Sequence, residues 1–90
     1  MNKQIEEALG ILQEECAEVI VEVSKIRRFG FDTQHYKTGV CHNEMLELEV
    51  GDMLALVDVL IEKGVLNADN LNKAKANKIE KLKIWSDIFK

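Results

Sequence analysis

Apolar and polar residues fall into three long periodic runs separated by two short polar breaks. From about Lys3 to Arg28, Ile5, Ala8, Leu9, Leu12, Cys16, Val19, Val23 and Ile26 recur with a helical period. Gly10 is a mild local cost inside that helix. Gly30 is placed to stop it, and a polar loop runs on to about His42. Asn43 is the predicted N-cap of a second helix, with Glu44 and Glu47 in the first turn, where the helix dipole favours acid. That helix is predicted to reach Lys63, with Gly64 as the residue that turns the chain out of it. Asn67 is predicted to cap a third helix, with Asp69 near its start and lysines toward its end. Nothing in the pattern asks for a strand, and there is no proline, internal repeat or low-complexity tract. The expectation is a single all-α domain over residues 1–90, a helical bundle of three main helices per protomer.

Placing each residue around its helix separates two kinds of acid on the second run. Glu44, Glu47, Asp58 and Glu62 share one polar face with Gly51 and Ala55, so Asp58 is solvated despite its apolar neighbours in sequence. Glu49 and Asp52 fall instead among Leu48, Leu56, Val59 and Leu60. An ionised carboxylate in an apolar sector needs a cation, a metal or a proton, since its burial unpaired costs several kcal/mol. Their i,i+3 spacing lets both reach one ligand. The first helix carries a strip of Glu14, Glu15, Glu18 and Glu22 up to the edge of its apolar stripe, with no basic residue between Lys3 and Lys25. Like charges at such spacing repel by roughly 0.2–0.5 kcal/mol per pair. The third helix supplies the opposite sign: Lys78 falls within the stripe of Leu71, Ala74, Leu82, Trp85 and Phe89, and Lys75 lies at its margin. Lysines so placed either snorkel at a bundle edge or meet an anionic ligand.

Composition narrows the classes. Twelve basic against sixteen acidic residues leave a net charge of −4, which argues against a nucleic-acid-coating protein. The longest nearly apolar run, Met53 to Ile61, is too short for a bilayer and contains Asp58. No secretory pattern is visible at the start, and Cys16 and Cys41 form no CxxC, so a reducing cytoplasmic setting is expected. A chain of this size buries only roughly 60% of its unfolded surface, yet 47% of its residues are apolar. The second helix is also apolar over more than half its circumference. A core completed by dimerisation reconciles these facts, as a homodimer or a homotetramer.

Clustered Glu and Asp without His or Cys are hard oxygen ligands, suited to Mg²⁺ or Mn²⁺. A divalent ion would reverse the local sign and let an acidic protein hold polyphosphate. From the residues alone, a plain helical interaction module with a structural ion network is the competing reading. Glu14-Glu15-Cys16-Ala17-Glu18 followed by Glu49-Val50-Gly51-Asp52 resembles the EExxE…ExxD signature of the MazG-like nucleotide pyrophosphohydrolases, of the all-α NTP pyrophosphatase superfamily. The flanking text from Gln13 to Ile61 is similar as well. Thirty residues separate Glu18 from Glu49, slightly more than in that family, and the extra length falls in the loop. The resemblance implies metal ligation by Glu15, Glu18, Glu49 and Asp52. It implies cleavage of a nucleoside triphosphate substrate to monophosphate and pyrophosphate, with water attacking the α-phosphorus. Glu15, and after it Glu14, would orient or deprotonate that water. Lys25 and Arg28 could reach phosphates, and Lys75, Asn77 and Lys78 resemble in placement the C-terminal contacts of relatives. A dUTP/dCTP- or phosphoribosyl-ATP-type pyrophosphohydrolase and a catalytically silent nucleotide- or partner-binding module stand as alternatives.

Other signals are weaker. His35, Cys41 and His42 fall short of a structural zinc site. Cys16 reads as a small core residue, and Trp85 as core at helical spacing with Leu82 and Phe89. Both glycine-rich phosphate loops are absent, so phosphate handling would fall to metal and side chains.

Overall fold

The computed structural model describes residues 1–34 and 37–90. It contains α1 (Lys3–Phe29), α2 (His42–Glu62) and α3 (Ala68–Trp85), and no strand among the described residues. The protein is all-α, as its periodicity predicts. At the head of α1, the Asn2 side chain accepts from the Ile5 amide at 2.8 Å. At its end, Gly30 takes a positive φ of 89° and donates to the Ile26 carbonyl at 2.7 Å. That backbone conformation is open to glycine at little cost. Asn67 caps α3 as expected, accepting from the Asn70 amide at 3.0 Å.

The start of α2 differs from expectation. Its N-cap is Cys41, with no side-chain cap bond, and Asn43 is already inside the helix. The reason lies in the loop. Gln34 and Cys41 form an isolated antiparallel bridge, and the carbonyls of Thr33 and Phe31 accept from the amides of His42 and Asn43. Loop carbonyls thereby satisfy the first two amides of α2, and the helix starts at His42 without a side-chain cap.

α1 and α2 form an antiparallel hairpin. Lys63 beside the end of α2 reaches Gln4 at 2.8 Å, and at the other end Phe29 stacks on His42 with ring centroids 6.0 Å apart. The covered positions follow a seven-residue rhythm on both helices. On α1 they include Ala8, Leu12, Glu15, Val19, Glu22 and Ile26; on α2, His42, Leu46, Glu49, Met53, Leu56 and Leu60. This alternation of four and three residues is the seam of left-handed helix pairing. Leu60 is completely buried, and Ala8 is buried on the facing helix.

α3 is another matter. It packs only marginally on the hairpin and buries no residue. Trp85, expected in the core, is 82% exposed, and Ile84 is 70% exposed. Lys75 and Lys78 are exposed as well. Of the stripe in which Lys78 was placed, Leu71 and Leu82 are half-buried, while Ala74, Trp85 and Phe89 are exposed. The molecule is flat, 41 × 37 × 14 Å, with a radius of gyration of 15.9 Å. A compact chain of this length would have about 12 Å.

Candidate metal centre

Three carboxylates converge midway along the hairpin. One oxygen each from Glu15, Glu49 and Asp52 lies within 4.8 Å of the others. Glu15 and Glu49 hold seam positions and are half-buried, while Asp52 joins from the flank, one turn beyond Glu49, and is exposed. The apolar sector predicted around Asp52 is therefore open on its side within one protomer. Burial pushes the Glu49 carboxyl above the ordinary glutamate range. The negative charges of Glu18, Asp52, Glu15 and Glu22, in that order, push it further the same way. Glu49 is thus the point at which acids of both helices meet.

Glu18 is exposed and lies outside the three-oxygen group, yet it is the largest single charge acting on Glu49. Glu14 is exposed and makes no side-chain hydrogen bond or ion pair among the described residues. The oxygen-only donor set, drawn from two helices and short of countercharge, fits a hard divalent cation such as Mg²⁺ or Mn²⁺.

Lys25 does approach the acidic strip. Its Nζ lies 3.3 Å from Glu22 Oε1, and it is the cation that pairs with this strip among the described residues. Arg28 stands further along α1, its guanidinium 5.0 Å from the centroid of the Phe29 ring. Ten residues of helix separate it from Glu18, about 15 Å of axis. On α3, Lys75 borders a groove with Leu54, Val57, Asp58 and Ile61 of α2. Asn77 and Lys78 are exposed, and none of these three α3 side chains hydrogen-bonds or ion-pairs among the described residues.

Two residues carry more than the sequence assigned them. Glu22, read as part of the acidic strip that borders the apolar stripe, is 3% exposed. Its Oε2 has no hydrogen-bond partner. Its spacing of seven from Glu15 is the signal that would have placed it in the seam. His42, read as the end of a loop, is the first residue of α2 and is buried against Phe29, with Nδ1 unpartnered. Cys41 is half-buried, and its thiol lies 3.9 Å from the Asp32 carbonyl. His35 lies outside the described residues. Cys16 is half-buried beside the seam, consistent with a small packing residue.

Compared with known protein families, curated proteins and solved structures, the chain matches none. No helix among the described residues is long and apolar enough to cross a membrane.

Proposed function

We propose that this protein is a Mg²⁺-dependent nucleoside triphosphate pyrophosphohydrolase, converting (d)NTP to (d)NMP and pyrophosphate. The observation that carries the reading is the convergence of Glu15, Glu49 and Asp52 at the middle of a helix hairpin. Together with Glu14 and Glu18, these are the acids of the EExxE…ExxD pattern that resembles the MazG-like enzymes. Half-buried acids that crowd one another cost the metal-free fold stability, and a cation held between them would offset that cost.

In this reading Glu15, Glu18, Glu49 and Asp52 hold the ion. When bound, it supplies charge neutralisation at the phosphates and acidifies water for attack on the α-phosphorus. The protein's own side chains do the rest. Glu15, with Glu14 behind it, accepts the proton of the attacking water and fixes its direction. Lys25, at the end of the acidic strip, offers an ammonium to a phosphate oxygen. Arg28 and the α3 residues Lys75, Asn77 and Lys78 become substrate contacts where a second protomer brings them in.

A homodimer or homotetramer is part of this reading, and the extent of exposed surface supports it. One protomer exposes 7082 Å², where a compact monomer of this mass exposes about 5,400 Å². The excess is of the order that stable interfaces bury. The reading extends to a cytoplasmic protein acting on free nucleotides, with neither membrane nor nucleic acid as partner.

The test is pyrophosphate release from a panel of canonical and modified NTPs and dNTPs, with Mg²⁺ and then with EDTA. Metal-dependent release with a monophosphate product supports the reading, and the ranking of bases names the substrate. A dominant preference for dUTP, dCTP or phosphoribosyl-ATP selects the specialised alternative. No release by folded, oligomeric protein overturns the enzyme reading in favour of a silent binding module.

A further inference from the structure

The position of Glu22 extends the cation site beyond the four-acid pattern. Glu22 occupies a seam position between Val19 and Ile26 and is almost wholly buried. One oxygen, Oε1, is held by Lys25 at 3.3 Å, and the other, Oε2, is buried without a partner. A buried acceptor left unpaired carries a desolvation cost on the order of 1–3 kcal/mol, more when charged. The side chain lies one turn beyond Glu18 on the strip that faces Glu49, and its charge acts on Glu49. Lys25 engages only Oε1, and no donor of either helix hydrogen-bonds Oε2.

We infer that Glu22 is a fifth carboxylate of the cation site, acting at one remove: its Oε2 accepts a hydrogen bond from the hydration shell of the bound divalent ion, while Lys25 steadies Oε1. This rests on the cation reading proposed above. Mg²⁺ sheds its waters reluctantly and keeps several in most protein sites, so it brings the donors that the seam lacks. The terminal torsion of a glutamate is soft, and Oε2 turns toward such a donor without displacement of α1. The Lys25 contact then has a second use. It offsets one charge of the strip and limits the rotamers from which Glu22 can reach the ion. Glu22 is a positioning residue in this scheme, since it touches neither substrate nor reacting atoms. Outer partners of metal ligands carry appreciable affinity of their own, typically tenfold to a hundredfold.

The experiment is a Mn²⁺ titration of the intact protein, followed by electron paramagnetic resonance and by calorimetry, without nucleotide. Glu22→Gln and the apolar near-isostere Glu22→Met are compared with wild type and with Glu47→Gln, an exposed acid on the far face of α2. Expected is a Mn²⁺ affinity weakened by roughly tenfold to a hundredfold in both Glu22 variants. Their metal-free circular dichroism should match wild type, their bound-Mn²⁺ spectra should change, and Glu47→Gln should bind as wild type does. Glu22→Met removes a buried charge and so folds even where the amide does not. Unchanged affinity in either folded Glu22 variant overturns the inference and leaves the four-acid site standing. Equal weakening by Glu47→Gln also overturns it, because the effect would then be one of net charge. No saturable Mn²⁺ binding by wild type overturns the cation reading itself, and this inference with it.

Discussion

The α1–α2 hairpin and α3 are both regular, amphipathic helix and reach opposite outcomes. The hairpin contains all four buried residues described, Ala8, Glu22, His42 and Leu60, and every carboxylate of the candidate centre. α3 buries none and leaves Trp85 and Ile84 in solvent. A helix gains most of its stability in a protein from packing one apolar face, not from propensity. α3 has such a face, but the protomer half-covers only Leu71 and Leu82 of it and leaves Trp85 and Phe89 exposed. The proposed cation site therefore lies entirely within the hairpin, and the proposed assembly would act on α3.

The largest effect should follow removal of the acid at which the two helices meet. Glu49→Gln is expected to abolish Mg²⁺-dependent pyrophosphate release and Mn²⁺ binding together. The metal-free hairpin should become more stable, because the substitution removes a charge that its four acidic neighbours oppose. Thermal melts with and without Mg²⁺ check both halves. Wild type should gain about 2.7 kcal/mol at a hundredfold excess over Kd, and the variant nothing. Retained turnover would show that the cluster is not the centre of activity.

Next in size is the assembly. Trp85→Asp sets a charge into the exposed face of α3, and buried aromatic anchors commonly account for about 2 kcal/mol or more of an interface. Sedimentation velocity should show wild type as a dimer or larger and the variant shifted toward monomer. The hairpin's own Mn²⁺ affinity should be kept. A monomeric wild type would break the comparison, since α3 would then be exposed with no purpose that packing supplies.

Legibility in the sequence follows the same division. The three helices, the Gly30 stop and the Asn67 cap were readable because each depends on residues a few positions apart. The polar face of Glu44, Glu47, Asp58 and Glu62 was readable for that reason too, and all four are exposed. Glu22 was misplaced by a small cumulative error. A straight helix at 3.6 residues per turn drifts about 20° per heptad from a 3.5-residue seam. A stripe centred on Ile5 has thus moved toward Val23 by the third turn-pair, whereas the packed seam holds Glu22 and leaves Val23 exposed. Trp85 and Lys78 were misplaced for a different reason. Their apolar stripe is real, but no periodicity says whether its cover comes from the same chain. The cap at Cys41 depends on the fold of the preceding loop, which has no regular pattern to read.

A smaller effect concerns pH, and it acts on the hairpin alone. Burial first, then the charges around it, raise the Glu49 carboxyl above the ordinary glutamate value. The folded state thus favours the protonated form more than the unfolded chain does. Stability of the metal-free protein from this group is fully present below the unfolded value and is lost as pH rises through the folded one. Cation binding needs the ionised form and strengthens over the same window. The melting temperature without metal should accordingly fall across it, while the increment on adding Mg²⁺ grows. Glu49→Gln should flatten both trends. An Mg²⁺ increment that grows equally in the variant would assign the titration to another group.

The finest probe uses two matched caps. Asn2 and Asn67 each accept from an amide three residues on, at 2.8 and 3.0 Å, so an alanine at either removes the same local bond. Such losses cost about 1 kcal/mol where the helix unfolds with the rest of the protein. Asn2→Ala loosens α1, which is packed on α2, and its cost should appear in full in the main thermal transition. Asn67→Ala loosens α3, whose share in that transition depends on its cover. In dilute protein driven to monomer, it should fray α3 and lower helical ellipticity without moving the main midpoint. At concentrations where the protein is assembled, the same substitution should shift the midpoint as Asn2→Ala does. Midpoints measured against concentration therefore read the coupling of α3 directly. A concentration-independent shift equal to that of Asn2→Ala would mean that α3 already belongs to the hairpin's cooperative unit, against the separation of the two regions.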